Sequence, residues 1–182
     1  MTTKNRDNIE IMIRKANIED IDAVALIYKN IHEAEALSDF TGWEKNVYPV
    51  RETAENAIER DDLFVCENEG KIVAAAIINQ IQVDVYADCD WKFTAGDDEV
   101  MVLHTLVVDP YFTGKGIGRE FVAYYEQYAK DNKCIVARMD TNKKNTPARN
   151  LYNKLGYREA CIIPCVFNGI SGVELVLLEK LL

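Results

Sequence analysis

Apolar side chains recur along the chain with two periods, and the changes of period mark out the elements. From Ile9 to Ala16 apolar and polar residues alternate, as in a half-buried strand. Asn17 can then cap a helix through about Ile31, with Ile21, Val24, Ala25, Tyr28 and Ile31 on one face. A second short helix is expected around Arg51 to Arg60. Leu63 to Glu67 and Lys71 to Gln82 read as strands joined by the turn "NEG". Val100 to Val108 is a further strand, followed at once by a glycine-rich loop. Ile117, Phe121, Tyr124, Tyr125 and Tyr128 return to helical spacing and predict a helix from that loop to about Asp131. After a strand over Cys134 to Asp140, the segment "NTPARNLYNKLGYRE" supplies Thr146 as cap, Pro147 in the first turn and Gly156 as the stop. Its apolar face is Ala148, Leu151, Tyr152 and Leu155. Two closing strands flank the turn Asn168-Gly169.

This order predicts an α/β (α+β) fold: a mixed, mostly antiparallel central sheet with helices on both faces. No repeat, low-complexity tract or linker interrupts it, so residues 1–182 are expected to form one domain. The composition, 48% hydrophobic and 28% charged, suits one well-cored domain. A formal charge of -9 argues against a nucleic-acid partner, whose phosphates demand a basic face. The longest plain apolar run, Ile72 to Ile78, is too short to span a bilayer, and the polar start carries no secretion signal, so a cytoplasmic protein is expected. Cysteines at 66, 89, 134, 161 and 165 are odd in number and are expected to be free thiols. One Cys-x3-Cys without a second pair is poor evidence for zinc, so no metal is expected.

The loop "DPYFTGKGIGRE", Asp109 to Glu120, carries the strongest chemical signal. A helix starting at Gly116 or Gly118 presents unpaired N–H groups and the positive end of its macrodipole, which together suit a phosphate. The absent Cβ permits positive φ and close approach, while Lys115 and Arg119 add charge. The spacing is neither a P-loop, since Gly116 follows Lys115, nor a dinucleotide fingerprint, since it reads Gly-x-Gly-x-Gly.

The run "LHTLVVDPYFTGKGIGREFVAYYEQYA", followed by "NTPARNLYNKLGY", resembles motifs A and B of the GNAT superfamily of N-acetyltransferases. The element order agrees over nearly the whole chain. The resemblance implies a splayed strand pair forming an acyl-CoA cleft, with acetyl-CoA as co-substrate. Thr113, Gly114, Lys115, Gly116, Ile117, Gly118 and Arg119 would cradle its pyrophosphate, although Thr113 stands where the family usually has Arg or Gln. Leu106, Val107 and Val108 would pair through their backbone with the pantetheine arm. Asn145 would contact the cofactor, and Tyr152 would stand near the sulfur as general acid for the leaving thiolate. His104 corresponds to a base in one branch of the family, and Glu99 is a weaker rival.

The resemblance thus implies an N-acetyltransferase that moves an acetyl group to a primary amine of a small acceptor, by direct transfer in a ternary complex. No cysteine in either motif recommends a covalent intermediate. A non-catalytic acyl-CoA-binding or regulatory module of the same fold is the alternative, and a homodimer is a candidate assembly. Trp43, Tyr48 and Trp91 are candidate pocket walls, and His32 is read as a helix-surface residue. Acids crowd two segments: Asp84, Asp88, Asp90, Asp97, Asp98 and Glu99 in one, Glu33, Glu35, Asp39 and Glu44 in the other. If both border the acceptor's entrance, they favour a cationic amine.

Overall fold

The computed structural model describes residues 2–4, 10–34 and 40–182. Its elements are β1 (Thr2–Lys4), β2 (Glu10–Lys15), α1 (Ile21–Glu33), α2 (Arg51–Glu59), β3 (Leu63–Asn68), β4 (Lys71–Asn79) and β5 (Val100–Val108). They continue with α3 (Ile117–Asp131), β6 (Val136–Asn142), α4 (Thr146–Lys154), β7 (Arg158–Phe167) and β8 (Ile170–Leu181). One eight-stranded sheet runs in the order β1-β2-β3-β4-β5-β6-β8-β7. Every pairing is antiparallel except that of β5 with β6.

Alternation within the strands sends side chains into separate cores. Phe64, Ala74, Ala76, Met101, Leu103 and Met139 pack with α3 residues Phe121, Val122 and Tyr125 on one face, where α4 adds Tyr152. On the other face Val65, Ala75, Ile77 and Val107 meet α1 and α2 through Val24, Ile27, Tyr28 and Ala54. A third cluster continues this second face, where residues 83–95 cover Val100, Val102, Val136 and Leu175. That covering segment is tied down by the wholly buried Glu179, whose carboxylate accepts from the N–H groups of Lys92 (2.9 Å) and Phe93 (3.2 Å) and from the Arg158 guanidinium.

Several predicted boundaries shift for local reasons. Asn17 opens a short 3-10 turn by accepting from Glu19 N at 2.8 Å, and α1 proper follows it. The strand expected from Ile9 is described only from Glu10, Ile9 lying outside the described residues. Strand β4 ends at Asn79, whose side chain takes the Ile81 N–H at 2.9 Å in place of a ladder partner. Cys134 is not in β6: its N–H closes on Ala129 O at the end of α3. The strand instead runs on to Asn142, because β8 supplies partners for Asp140, Thr141 and Asn142. Asn145, not Thr146, caps α4, its Oδ1 accepting from Ala148 N at 3.2 Å.

The expectation of free thiols is corrected at one pair. Cys89 and Cys161 form a disulfide across 72 residues of sequence, while Cys66, Cys134 and Cys165 are free. The 83–95 segment packs against β7 and brings the two Cα atoms to 6.0 Å, within bridging range. Such a pair is set by tertiary packing and has no signature in cysteine spacing.

Tyr125 shows how α3 holds the sheet where β5 meets β6. Its buried hydroxyl lies 2.7 Å from Met101 O on β5 and 2.9 Å from Arg138 O on β6. Tyr125→Phe leaves both buried carbonyls without this donor and should lower the unfolding free energy by about 1–3 kcal/mol. Urea denaturation measures it; a variant as stable as the parent would mean that neither carbonyl depends on the tyrosine.

Candidate active site

Strands β5 and β6 pair through four residue couples, Val100 with Val136 to Leu103 with Met139, and then part. Beyond that point β5 keeps only β4, and β6 keeps only β8. The next residues in register, His104 and Asp140, therefore stand at the mouth of a gap. A bulge follows on β5: two residues, Thr105 and Leu106, lie opposite Ala76 alone, and Thr105 takes φ 50°. Side chains after the bulge change face, so Val107 joins the α1 side while Leu106 and Val108 join the α3 side.

The gap opens into a cavity of about 590 Å³. At one end lie Thr113, Gly114, Gly116, Ile117, Gly118 and Arg119. Gly116 is the residue before α3 and takes φ 79°; no side chain caps this helix. Its first N–H groups are thus left to the cavity, an arrangement suited to phosphate. Gly114 also has positive φ, with open space where a Cβ would project. At Gly118 a Cβ would lie 3.6 Å from Leu151 and 3.9 Å from Val108, ordinary contact distances, so the room around this position does not itself demand glycine. The residues present fit a pyrophosphate. Lys115 does not line the cavity; its ammonium lies 4.8 Å from the centre of the Phe112 ring. Thr113 turns its hydroxyl to Pro110 O at 3.0 Å.

Further along the same cavity lie Leu106, Val107, Val108, Asn145 and Tyr152. Tyr152 is buried, and burial together with the charge of Asp140 pushes its phenol pKa well up, so it holds its proton. Asn145 spends its carbonyl oxygen on the α4 cap, which leaves its amide N–H groups as its remaining donors.

His104 projects on the opposite face of the sheet from α3 and reaches the same cavity. Its Nε2 lies 3.0 Å from Asn79 Oδ1, and Asn79 Nδ2 donates to Asp62 at 2.8 Å, which fixes the amide's orientation. Nε2 therefore carries the proton. Asp62 is held in turn by Arg60 at 2.8 Å. Burial lowers the His104 pKa to about 4 against the opposing pull of Asp62. A second cavity, beside α2, shares Tyr48, His104 and Asn168 with the first. Glu99 stands at the far end of β5, where its carboxylate accepts from Gly96 N at 2.9 Å, away from the cavity.

Of the aromatics singled out, Trp43 and Tyr48 line the cavity, and Tyr48 is hydrogen-bonded to Thr105 Oγ1. Trp91 does not; it donates to Tyr86 O at 2.8 Å and lies under the Arg138 guanidinium at 4.0 Å. His32 bonds Pro49 O at 2.9 Å and so ties α1 to the chain before α2. None of the acids from Asp84 to Glu99 lines the cavity, nor do Glu33 and Glu44. Glu35 and Asp39 lie outside the described residues. Among the described residues, the carboxylate that does reach the wall is Asp140, a residue that sequence reasoning passed over. The available signal was an acid closing the apolar run "CIVARMD". Among the described residues no group of three or more His, Cys, Asp or Glu could hold a metal ion, and no helix is long and apolar enough to cross a membrane.

A parted strand pair and an uncapped glycine turn along one cleft describe an acyl-transferase class of α/β fold. The model of the acetyltransferase (GNAT) family matches residues 28–157, and the chain belongs to that family. It is similar to an N-acetyltransferase of Methanocaldococcus jannaschii, 30% identical over 105 residues that make up 58% of this chain and 42% of that protein. It is also similar to streptothricin acetyltransferase of Escherichia coli, 25% identical over 66% of this chain and 64% of that one. The chain thus spans less than two thirds of either relative. The same fold occurs in crystal structures of GNAT-family acetyltransferases from Streptococcus agalactiae, with TM-score 0.79 and 22% identity over 94% of this chain and 95% of that one, and from Listeria monocytogenes. The latter has TM-score 0.77 and 20% identity over 100% of both chains.

The environment of His104 has a direct test. Its ring signals, assigned by their loss in His104→Gln, should titrate in NMR with a midpoint of about 4, below the ordinary 6.5. With the folded value below the unfolded one, the unfolded chain takes the proton first. Stability from this site is complete above 6.5 and is lost as pH falls toward 4. A midpoint at or above 6.5 would mean that the ring is solvated or paired with a charge.

Proposed function

We propose that this protein is an acetyl-CoA-dependent N-acetyltransferase that moves the acetyl group directly to a primary amine of a small acceptor bound beside it. The observation that carries the reading is the single cavity joining the uncapped α3 start, the released edge of β5 and the Tyr152 hydroxyl. The α3 N–H groups and Arg119 hold pyrophosphate. Backbone groups of Leu106, Val107 and Val108, freed of β6, take the pantetheine arm as an added strand would be taken, and Asn145 contacts it. The thioester then lies in the gap near Tyr152.

The amine approaches from the His104 side and attacks the carbonyl carbon. Backbone N–H groups at the β5 edge stabilise the charge that builds on oxygen. As the carbon–sulfur bond breaks, Tyr152 gives its proton to the thiolate. His104, neutral and fixed by Asn79, orients the amine and offers Nδ1 to one of its protons; its lowered pKa makes it a weak base. Direct transfer is supported by the state of the thiols. Burial pushes Cys66 up to about 12 and raises Cys165, so neither is a ready nucleophile. One domain over residues 1–182 and a cytoplasmic setting, where acetyl-CoA is at hand, belong to the same reading.

Two variants separate binding from chemistry. Gly116→Asp puts a side chain and a like charge where phosphate sits, and should weaken acetyl-CoA binding at least about tenfold. Calorimetry finding parental affinity in a folded variant would remove the loop from the site. Tyr152→Phe should keep acetyl-CoA affinity while kcat falls by about 100-fold. Parental turnover there would return Tyr152 to the core.

A further inference from the structure

The acceptor half of the cavity has a composition of its own. Its apolar walls are Ile31, Trp43, Val83, Phe167, Val173 and Leu175, interrupted by the uncharged polar residues Thr41, Thr141, Asn142 and Asn168. Among the described residues lining the cavity, Asp140 is the one carboxylate, and Arg119 at the phosphate end is the one other residue with a full charge. Asp140 stands on β6 one residue past the last pairing with β5, in register with His104 across the opening and on the same face of the sheet. Its Oδ2 accepts from Tyr86 Oη at 2.8 Å. Its Oδ1 makes no hydrogen bond among the described residues. A half-satisfied carboxylate in a mostly apolar chamber is costly unless something cationic completes it.

We propose that Asp140 binds the acceptor's ammonium group and takes its proton, and that the acceptor is a primary amine carried on an apolar body. The proposal rests on the acetyl-transfer reading and names the acceptor within it. The ammonium pairs with Asp140 Oδ1 while the apolar body lies against the six walls. One N–H proton passes to the carboxylate and leaves a neutral amine. Its lone pair forms the carbon–nitrogen bond as the carbon–sulfur bond breaks; the thiolate takes the Tyr152 proton, and the second nitrogen proton returns to Tyr152 through solvent. Asp140 releases its proton to solvent, so one amide, one thiol and one proton result.

The groups around Asp140 suit this exchange. Tyr86 from the 84–88 turn, Tyr48 from the chain before α2, Tyr152 from α4, Cys165 from β7 and His104 from β5 face it, with Arg138 two residues back on its own strand. All but Arg138 are neutral near pH 7, and the Arg138 guanidinium is engaged by Gln82, Phe93 O and Trp91. Burial raises the Asp140 pKa to about 6, with Tyr86 opposing, so the group is ionised at neutral pH yet basic enough to accept a proton.

The test follows CoA-thiol release with benzylamine, isoamylamine and leucine amide against spermidine and an aminoglycoside. The apolar amines should lead by at least about tenfold in kcat/KM. Their kcat/KM should fall as pH drops through about 6. Asp140→Asn should abolish that acid limb and raise the amine KM at least about tenfold, with acetyl-CoA affinity unchanged by calorimetry. Tyr86→Phe removes the bond that favours the charged carboxylate and should move the limb upward, which a structural role would not do. If wild-type protein binds acetyl-CoA but no amine stimulates thiol release, the acetyl-transfer reading itself fails. If transfer occurs but neither variant alters the amine KM or the acid limb, the Asp140 assignment alone fails, and a preference for spermidine overturns the apolar body.

Discussion

The architecture turns on a missing pairing. Four couples bind β5 to β6, and the fifth does not form. Two strands of one sheet cannot part without cost, because each backbone group released needs another partner or solvent. Here the cost is limited by keeping the outer neighbours intact: β4 still holds β5, and β8 still holds β6. The Tyr125 hydroxyl bridges the two strands within the paired stretch, between Met101 O and Arg138 O. The sheet is firm up to Leu103 and open beyond it, so its open edge offers backbone donors and acceptors on a rigid frame.

The opening also explains the unusual protonation chemistry around it. A gap that passes through a sheet is walled by core residues, so polar groups that border it are poorly solvated. His104 is driven toward its neutral form and Asp140 toward its protonated form by the same loss of water. Tyr48 is pushed up to about 12 for the same reason. Each remains folded into a hydrogen-bonded network: His104 through Asn79 to Asp62, Tyr48 through Thr105, Asp140 through Tyr86.

Most of the element order is legible in the sequence, because long amphipathic segments such as Ile117–Asp131 and alternating ones such as Val100–Val108 carry strong periodicity. The glycine loop is legible too, since its need for positive φ at Gly114 and Gly116 leaves a direct mark on residue choice. What depends on partners distant in the chain is not. β1 is a polar segment made a strand by pairing with β2, and Asp140 to Asn142 extend β6 only because β8 is there. The same applies to the joining of Cys89 to Cys161 and to the exclusion of the 84–99 acids from the cavity wall. Charge density along a sequence says nothing about which way the charges face. Asp140 was hidden for the converse reason: a lone acid at a strand end looks like an exposed terminus until the neighbouring strand turns away.

The bulge at Thr105 and Leu106 works as a phase shift written into one strand. Upstream of it, even-numbered side chains such as Val102 and His104 share a face with the acceptor chamber. Downstream the parity is inverted, and Leu106 and Val108 look toward α3. A substitution in β5 alters one wall of the cleft, whereas loss of a single residue at the bulge would exchange the two walls for the remainder of the strand. Side-chain identity along β5 is therefore open to gradual change, but its count is not, and the register of the strand is the more guarded property of this protein.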